Sequence, residues 1–306
     1  MKITGKGGIS AEIIKDSAYH SSRITTFELE YPRFIHAEFM THRQFSRNAA
    51  SSRAIPIERM HQHVKTNMAM PIHWGRNQAG MQAQYELEDN ERKSAIMNWQ
   101  VACDMAVHNS RMLHLDNVHK QIANRVTEPF QMMKVVVTAT EWGNWYWLRN
   151  HQDAQPEIHE LASIMLQAHE YSQPEQLLPG QWHLPYVNSH ISLVDGSQCF
   201  TDTKGDDLTL AEAQAVSASC CAQVSYRKSD DSLEKAQMIF DKLINSEPVH
   251  ASPVEHQASP MVNATTYMSD DTWEPGITHC DRAGNLWSGN FKHWIQFRQL
   301  IPNNSK

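Results

Sequence analysis

The stretch Thr41-His42-Arg43-Gln44-Phe45-Ser46-Arg47-Asn48-Ala49-Ala50-Ser51-Ser52-Arg53 decides how this chain is read. It gathers three guanidiniums, several hydroxyls, an imidazole and carboxamides, with almost nothing apolar to bury. Guanidiniums grip phosphate through paired hydrogen bonds, while hydroxyls and amides fix a ligand's orientation. A merely solvated face would mix in Glu and Lys, and the stretch holds neither. The pattern points to an anionic, nucleotide-like ligand.

Upstream, Phe27, Leu29 and Tyr31 alternate with Thr26, Glu28 and Glu30, the signature of a half-buried strand. Pro32 suits the first turn of a helix carrying Phe34, Ile35, Phe39 and Met40, so the Arg-rich run begins near that helix's C-terminal end. Downstream, the spacing predicts a long helix within 82–124, a β-branched strand at Val135–Thr138, and a helix over 141–149 ending at Arg149. Pro156 opens another helix with Ile158, Leu161 and Met165 on one face. Prolines, glycines and weak periodicity make 172–208 a connecting stretch. Thr209-Leu210-Ala211-Glu212 has capping-box spacing and starts an Ala-rich helix toward Val224. A second helix carries Leu233, Ala236, Ile239, Phe240 and Leu243, and Ser252-Pro253-Val254-Glu255 reads as a third helix start. The aromatic, Gly-punctuated tail at 272–300 takes no assignment.

The bulk numbers narrow the class. A chain of 306 residues buries a sizeable core. A formal charge of −7 argues against gripping a nucleic-acid backbone, although a local arginine cluster can oppose the global sign. Cysteines at 103, 199, 220, 221 and 280 lack paired spacing, which suggests reduced thiols and a cytoplasmic setting, with Cys220 and Cys221 as small buried thiols. The 18 histidines do not form a helix-spaced ligand set with a carboxylate, so no metal is expected. No apolar run reaches the length of a membrane span, and the first residues lack a signal-peptide layout.

Side by side, these segments resemble the flavin-dependent thymidylate synthases (ThyX). The signature of that family is Arg-His-Arg, two free positions, Ser, one free, Asn, two free, Ser, one free, Arg. His42, Arg43, Ser46, Asn48, Ser51 and Arg53 match it, and Thr41 stands where the first Arg is expected. Asn144 through Arg149, then Ala154-Gln155-Pro156-Glu157-Ile158, is similar to a second family segment. His250-Ala251-Ser252-Pro253-Val254-Glu255-His256 resembles a third, and Ala222-Gln223-Val224-Ser225-Tyr226 resembles the segment that enters it. In the family the last two precede the Arg-rich signature, so the chain reads as a circular permutation. On that reading 1–306 is one domain: 1–171 holds the signature and C-terminal family segments, 172–208 connects, and 209–306 is the relocated N-terminal part.

The resemblance implies an α/β (α+β) fold with a central mixed sheet flanked by helices. It also implies FAD bound between subunits of a tetramer, no membrane association and no nucleic acid. Thr41, His42, Arg43, Asn48, Asn144, His250, Ser252 and Glu255 would surround the flavin, with His250 and Glu255 orienting flavin or folate. Ser51, Ser52, Arg53 and Arg125 would receive the nucleotide monophosphate, Arg125 from a neighbouring subunit, and Glu38 would face the base. Arg149 would stabilise charge developing on the pyrimidine. The implied reaction is reductive methylation of dUMP to dTMP, with methylene-tetrahydrofolate as carbon donor and NADPH as reductant. Glu38 and Ala49 stand where many members carry Gln and Glu. These departures admit another pyrimidine nucleotide such as dCMP, a hydroxymethyl product, or an inactive nucleotide- or RNA-binding relative. For Glu255 the competing reading is closure of the capping box begun by Ser252.

Overall fold

The computed structural model describes residues 1–225, 232–263 and 273–305. Tyr226, the end of one resembling segment, and Thr272, the start of the unassigned tail, lie outside them. In chain order the first half runs β1 Lys2–Thr4, β2 Ser10–Tyr19, β3 Ser22–Pro32, α1 His36–Phe39, β4 Ser46–Ala49, α2 Ile57–Thr66, α3 Asp89–Leu115, α4 Lys120–Ala123, β5 Met132–Ala139, α5 Gly143–Arg149 and α6 Pro156–Tyr171. The second half runs β6 Glu175–Gln176, β7 Asn188–Ile191, β8 Gln198–Thr201, β9 Asp207–Leu208, α7 Leu210–Ala222, α8 Leu233–Ile244, β10 Ala258–Pro260, β11 His279–Cys280, β12 Leu286–Ser288, β13 Phe291–Lys292 and β14 Trp294–Gln296.

The central sheet has the order β1-β2-β3-β5-β4, with β6 added to β2. Only that last pairing is parallel, so the sheet is mixed and the fold is α+β. Register decides what each face carries, because paired residues point the same way and neighbours along a strand point apart. Phe27 pairs with Val137 and Leu29 with Val135; this face is apolar and packs against Trp145 of α5 and Ile158, Leu161 and Met165 of α6. Thr26 pairs with Thr138, Glu28 with Val136 and Glu30 with Lys134; this second face is largely polar and meets the C-terminal half of the chain.

Most of the expected elements form, and the departures have local causes. The long helix starts at Asp89 rather than 82 because Glu88 and Glu91 close a capping box there. The Arg-rich run contains an edge strand, β4, that the sequence did not suggest. The stretch 172–208 holds four short strands, three of them forming a small sheet through β8. Its turns use Gly196 and Gly205 at positive φ, and its strands are too short to display a period. The third helix does not develop: Ser252–Glu255 is a single 3-10 turn with no side-chain cap, and Glu255 pairs with Arg298 instead of closing a box. The tail supplies β11–β14, with β14 pairing β10. Among the described residues no helix is long and apolar enough to cross a membrane.

Candidate functional site

Arg149 is the last residue of α5, four positions after Trp145, whose buried indole fixes the helix on the apolar face. Its guanidinium points back to the loop after α1. Nε donates to His42 Nε2 at 3.0 Å, one terminal nitrogen binds the Glu38 carboxylate, and the other lies 3.4 Å from Thr41 Oγ1. The Thr41 hydroxyl in turn donates to the Glu38 carbonyl at 2.7 Å. His42 stacks on Phe45 and meets Trp145 edge-on at 4.8 Å. Burial, then the Arg149 and Arg47 guanidiniums, push its pKa down to about 4. His42 is therefore a neutral imidazole that accepts from Arg149 through Nε2 and carries its proton on Nδ1. Arg47 braces the same loop by donating to the His42 carbonyl at 2.6 Å and the Met40 carbonyl at 3.2 Å.

On the polar face, Asn48 of β4 reaches the C-terminal segment. With its amide nitrogen facing them, it donates to the Arg47 carbonyl at 2.8 Å and the Ser252 carbonyl at 3.3 Å. The same end of the amide lies 3.4 Å from His256 Nε2. A buried chain of hydrogen bonds continues from there across the sheet. His256 Nδ1 meets Thr138 Oγ1 at 2.9 Å, Thr138 meets Thr26 at 2.6 Å, Thr26 meets His183 Nε2 at 2.9 Å, and His183 Nδ1 meets Ser17 Oγ at 2.9 Å. All five of these side chains are fully buried. Burial holds the His256 pKa near 3 and that of His183 well below the ordinary range, so both rings are neutral. This seam fastens residues 183 and 256 to four strands of the central sheet.

Beyond β4 the chain turns through Ser51, Ser52 and Arg53. Ser52 is buried, lines a cavity of about 500 Å³, and donates to Glu128 Oε1 at 3.4 Å. Arg125 lies 3.6 Å and Arg33 2.9 Å from the same oxygen.

The structure thus brings together Glu38, Thr41, His42 and Arg149; Asn48 with Ser252; and Ser52 with Arg125 through Glu128. Glu255 sits beside this machinery but is held by Arg298. Arg298 also donates to Asn304, bracing the last turn of the described residues. Arg43, Arg53, Asn144 and His250 are exposed, Ser51 is half-buried, and among the described residues none of the five has a side-chain hydrogen bond or ion pair. No contact joins Arg53 to Arg149 within the chain. Sequence reasoning missed Arg33, Arg59 and Lys134, which line the cavity, and Glu128, which Arg33 and Ser52 contact. A signal existed for Lys134, a lone charge against the apolar run Val135–Val137 and opposite the polar positions of β3.

No family model matches the chain, and no curated protein sequence does. Among solved structures the chain is similar to a UMP/dUMP methylase, PolB from Streptomyces cacaoi, bound with 5-Br dUMP. The TM-score is 0.45 at 18% identity, over 55% of this chain and 92% of that one. A second structure of PolB, with 5-Br UMP, gives a TM-score of 0.43 at 19% identity, over 53% of this chain and 88% of that one.

Proposed function

We propose that this chain is a flavin-dependent enzyme that reductively methylates a pyrimidine nucleotide, dUMP to dTMP, using methylene-tetrahydrofolate and NADPH. The observation that carries the reading is the meeting of the three resembling segments. Arg149 docks on Glu38, Thr41 and His42, and Asn48 docks on Ser252, although these residues are spread from position 38 to 252 of the sequence.

The side chains around Arg149 suit a flavin. The buried Trp145 indole N–H lacks a hydrogen-bond partner among the described residues, and the Arg43 guanidinium and Asn144 amide stand exposed nearby in sequence. Met40, Trp147 and Leu148, also exposed, offer flat apolar surface. When bound, reduced flavin supplies the hydride that completes the methyl group. Arg149 would face the pyrimidine and stabilise negative charge developing on the ring. Neutral His42 orients that guanidinium through Nε without adding a competing positive charge. Glu38 holds the opposite side of the fork.

In the tetramer with shared sites that this reading implies, Arg53 and Arg149 of one site would come from two copies. The surface has a stripe suited to such assembly: Met97, Val101, Met105, Met112 and Leu115 are exposed along one side of α3. A second reading, a cytosine nucleotide, is favoured by Glu38, whose carboxylate beside Arg149 can accept from an exocyclic amine.

Incubating the protein with FAD, NADPH, methylene-tetrahydrofolate and either dUMP or dCMP, then weighing the products, separates the two. A gain of one methyl on dUMP supports the first reading and on dCMP the second; no conversion of either refutes both. Arg149→Ala should leave flavin absorbance unchanged and lower kcat at least 100-fold, whereas normal turnover would remove Arg149 from the reaction.

A further inference from the structure

The aromatic tail that took no assignment from its sequence packs against the Arg-rich loop. β12 and β13 pair antiparallel with Ser288 opposite Phe291, which leaves a two-residue turn, Gly289 and Asn290. Gly289 adopts φ +59°, the left-handed conformation that a tight hairpin asks of its first turn residue. The hairpin is tied down behind this tip. Trp294 is fully buried and donates from Nε1 to Ser22 Oγ at 2.9 Å, and Lys292 N donates to Thr140 Oγ1 at 3.0 Å. β14 in turn pairs with β10, Gln296 opposite Ala258.

Two carboxamides run from this frame to the loop. Asn290 Nδ2 donates to the Gln44 carbonyl at 2.9 Å and to Ser46 Oγ at 3.1 Å. Gln296 Nε2 donates to Asn290 Oδ1 at 2.8 Å and to the Glu255 carbonyl at 3.1 Å, and it lies 3.1 Å from Ser46 Oγ. The four N–H groups of the two amides thus meet four acceptors, and the Ser46 hydroxyl is left to donate to Asn290 Oδ1 at 3.2 Å. Ser46 and Gln296 are both buried. A satisfied network in so dry a place fixes one geometry, because any shift strands a donor. A Cβ on Gly289 would lie 2.5 Å from Gln296 Oε1, so turn and amide fit without slack.

The part held is the backbone on either side of Phe45. That ring stacks on His42, and His42 accepts from Arg149 Nε. Arg43 and Gln44 are exposed, so their side chains add little burial to hold the loop.

We propose that the C-terminal tail is a clasp for the site, with Asn290 and Gln296 as positioning residues. They set the backbone of residues 44–46 and, through Phe45 and His42, the Arg149 guanidinium. The clasp stands on these contacts alone; its effect on turnover rests on the reaction proposed above.

Hydrogen exchange of the purified full chain, read by mass spectrometry, tests the clasp without flavin or substrate. Asn290→Asp keeps the shape and removes both N–H groups, and Gln296→Met removes the second amide. Exchange within residues 41–47 should quicken about tenfold in each variant, while β2 and β3 exchange as before. His279→Ala, on β11 of the same tail sheet, should change neither region. In turnover with FAD, NADPH, methylene-tetrahydrofolate and the nucleotide that is converted, Asn290→Asp should lower kcat about tenfold and leave KM within about twofold. A merely structural role would instead lower the urea midpoint and quicken exchange across the whole sheet. The proposal is overturned if loop exchange is unchanged in both variants, if it rises no more there than in β2 and β3, or if quickened exchange leaves kcat at the wild-type value. A wild-type chain that converts no nucleotide refutes the flavin reading, and the exchange comparison then decides the clasp by itself.

Discussion

The two faces of the central sheet are held by different forces. On one, Phe27, Leu29, Val135 and Val137 bury against α5 and α6, and apolar contact is the main attachment, with His169 of α6 adding hydrogen bonds to Thr25 and Tyr146. On the other, Thr26 and Thr138 face His183 and His256, and attachment depends on each hydroxyl and ring nitrogen finding its partner. Apolar burial tolerates small shifts; a buried hydrogen-bonded chain fixes one register. The first kind of contact holds the Arg149 loop, and the second clamps the C-terminal half onto the strand that carries Asn48.

If that division is right, the largest loss comes from the apolar face. Phe27 is fully buried and meets Trp142 edge-on at 5.2 Å. Phe27→Ala should cost about 3–5 kcal/mol in urea unfolding, through lost transfer energy and the cavity left behind. Thr138→Val nearly keeps the shape but strands His256 Nδ1 and removes one of the two partners of Thr26, at about 1–3 kcal/mol. A Thr138→Val cost equal to or above that of Phe27→Ala would reverse the comparison.

The two faces also differ in how far they could be read beforehand. Alternation at Phe27, Leu29 and Tyr31 and the one-sided face of Ile158, Leu161 and Met165 announce the apolar core directly, because burial imprints a period on the sequence. The polar seam leaves no period: His183 is an isolated residue, His256 only closes a short motif, and only the fold brings them to Thr26 and Thr138. The site divides in the same way. Thr41, His42 and Arg149 were each singled out by the motif and by the helix ending at Arg149, but their contact with one another was not legible. The contribution of Arg33, Arg59, Lys134 and Glu128 was not, since each comes from a different element and none belongs to a recognisable spacing. β4 was hidden because its four residues, Ser46–Ala49, carry the polar side chains of the motif, and pairing with β5 outweighs their weak strand preference.

Acid should have a smaller effect, and it acts on both faces, since burial also lowers the pKa of His169 of α6 to about 4. His256 and His183 are buried neutral, with pKa values depressed to about 3 and well below the ordinary range. An unfolded chain returns both to about 6.5, so it binds more protons than the folded one as pH falls below that value. Their contribution is complete above pH 6.5 and is lost progressively down toward pH 3, by up to about 1.4 kcal/mol per pH unit for each ring. The urea midpoint should therefore fall between pH 7 and pH 5, and Thr138→Val should not abolish that slope, because both rings stay buried. A flat midpoint over this range would mean the rings are not buried neutral.

The smallest expected difference compares two sequence signals that look alike. Thr209 and Ser252 each precede a Glu three residues on, but only one makes a cap. Thr209 Oγ1 accepts from Glu212 N at 3.3 Å, and the Glu212 carboxylate accepts from Thr209 N at 2.8 Å, closing the box that starts α7 on the polar side of the sheet. Ser252 caps nothing with its side chain, and Glu255 is committed to Arg298. Thr209→Ala should thus cost about 1 kcal/mol, the usual value of a lost N-cap, and Ser252→Ala only a few tenths. The Pro that follows Ser252 already restricts the turn, and the Ser252 contact to Asn48 runs through its carbonyl, which alanine retains. Equal losses at the two positions would show that the Ser252 hydroxyl bears on folding after all, and would remove the distinction between a closed helix cap and a bare 3-10 turn.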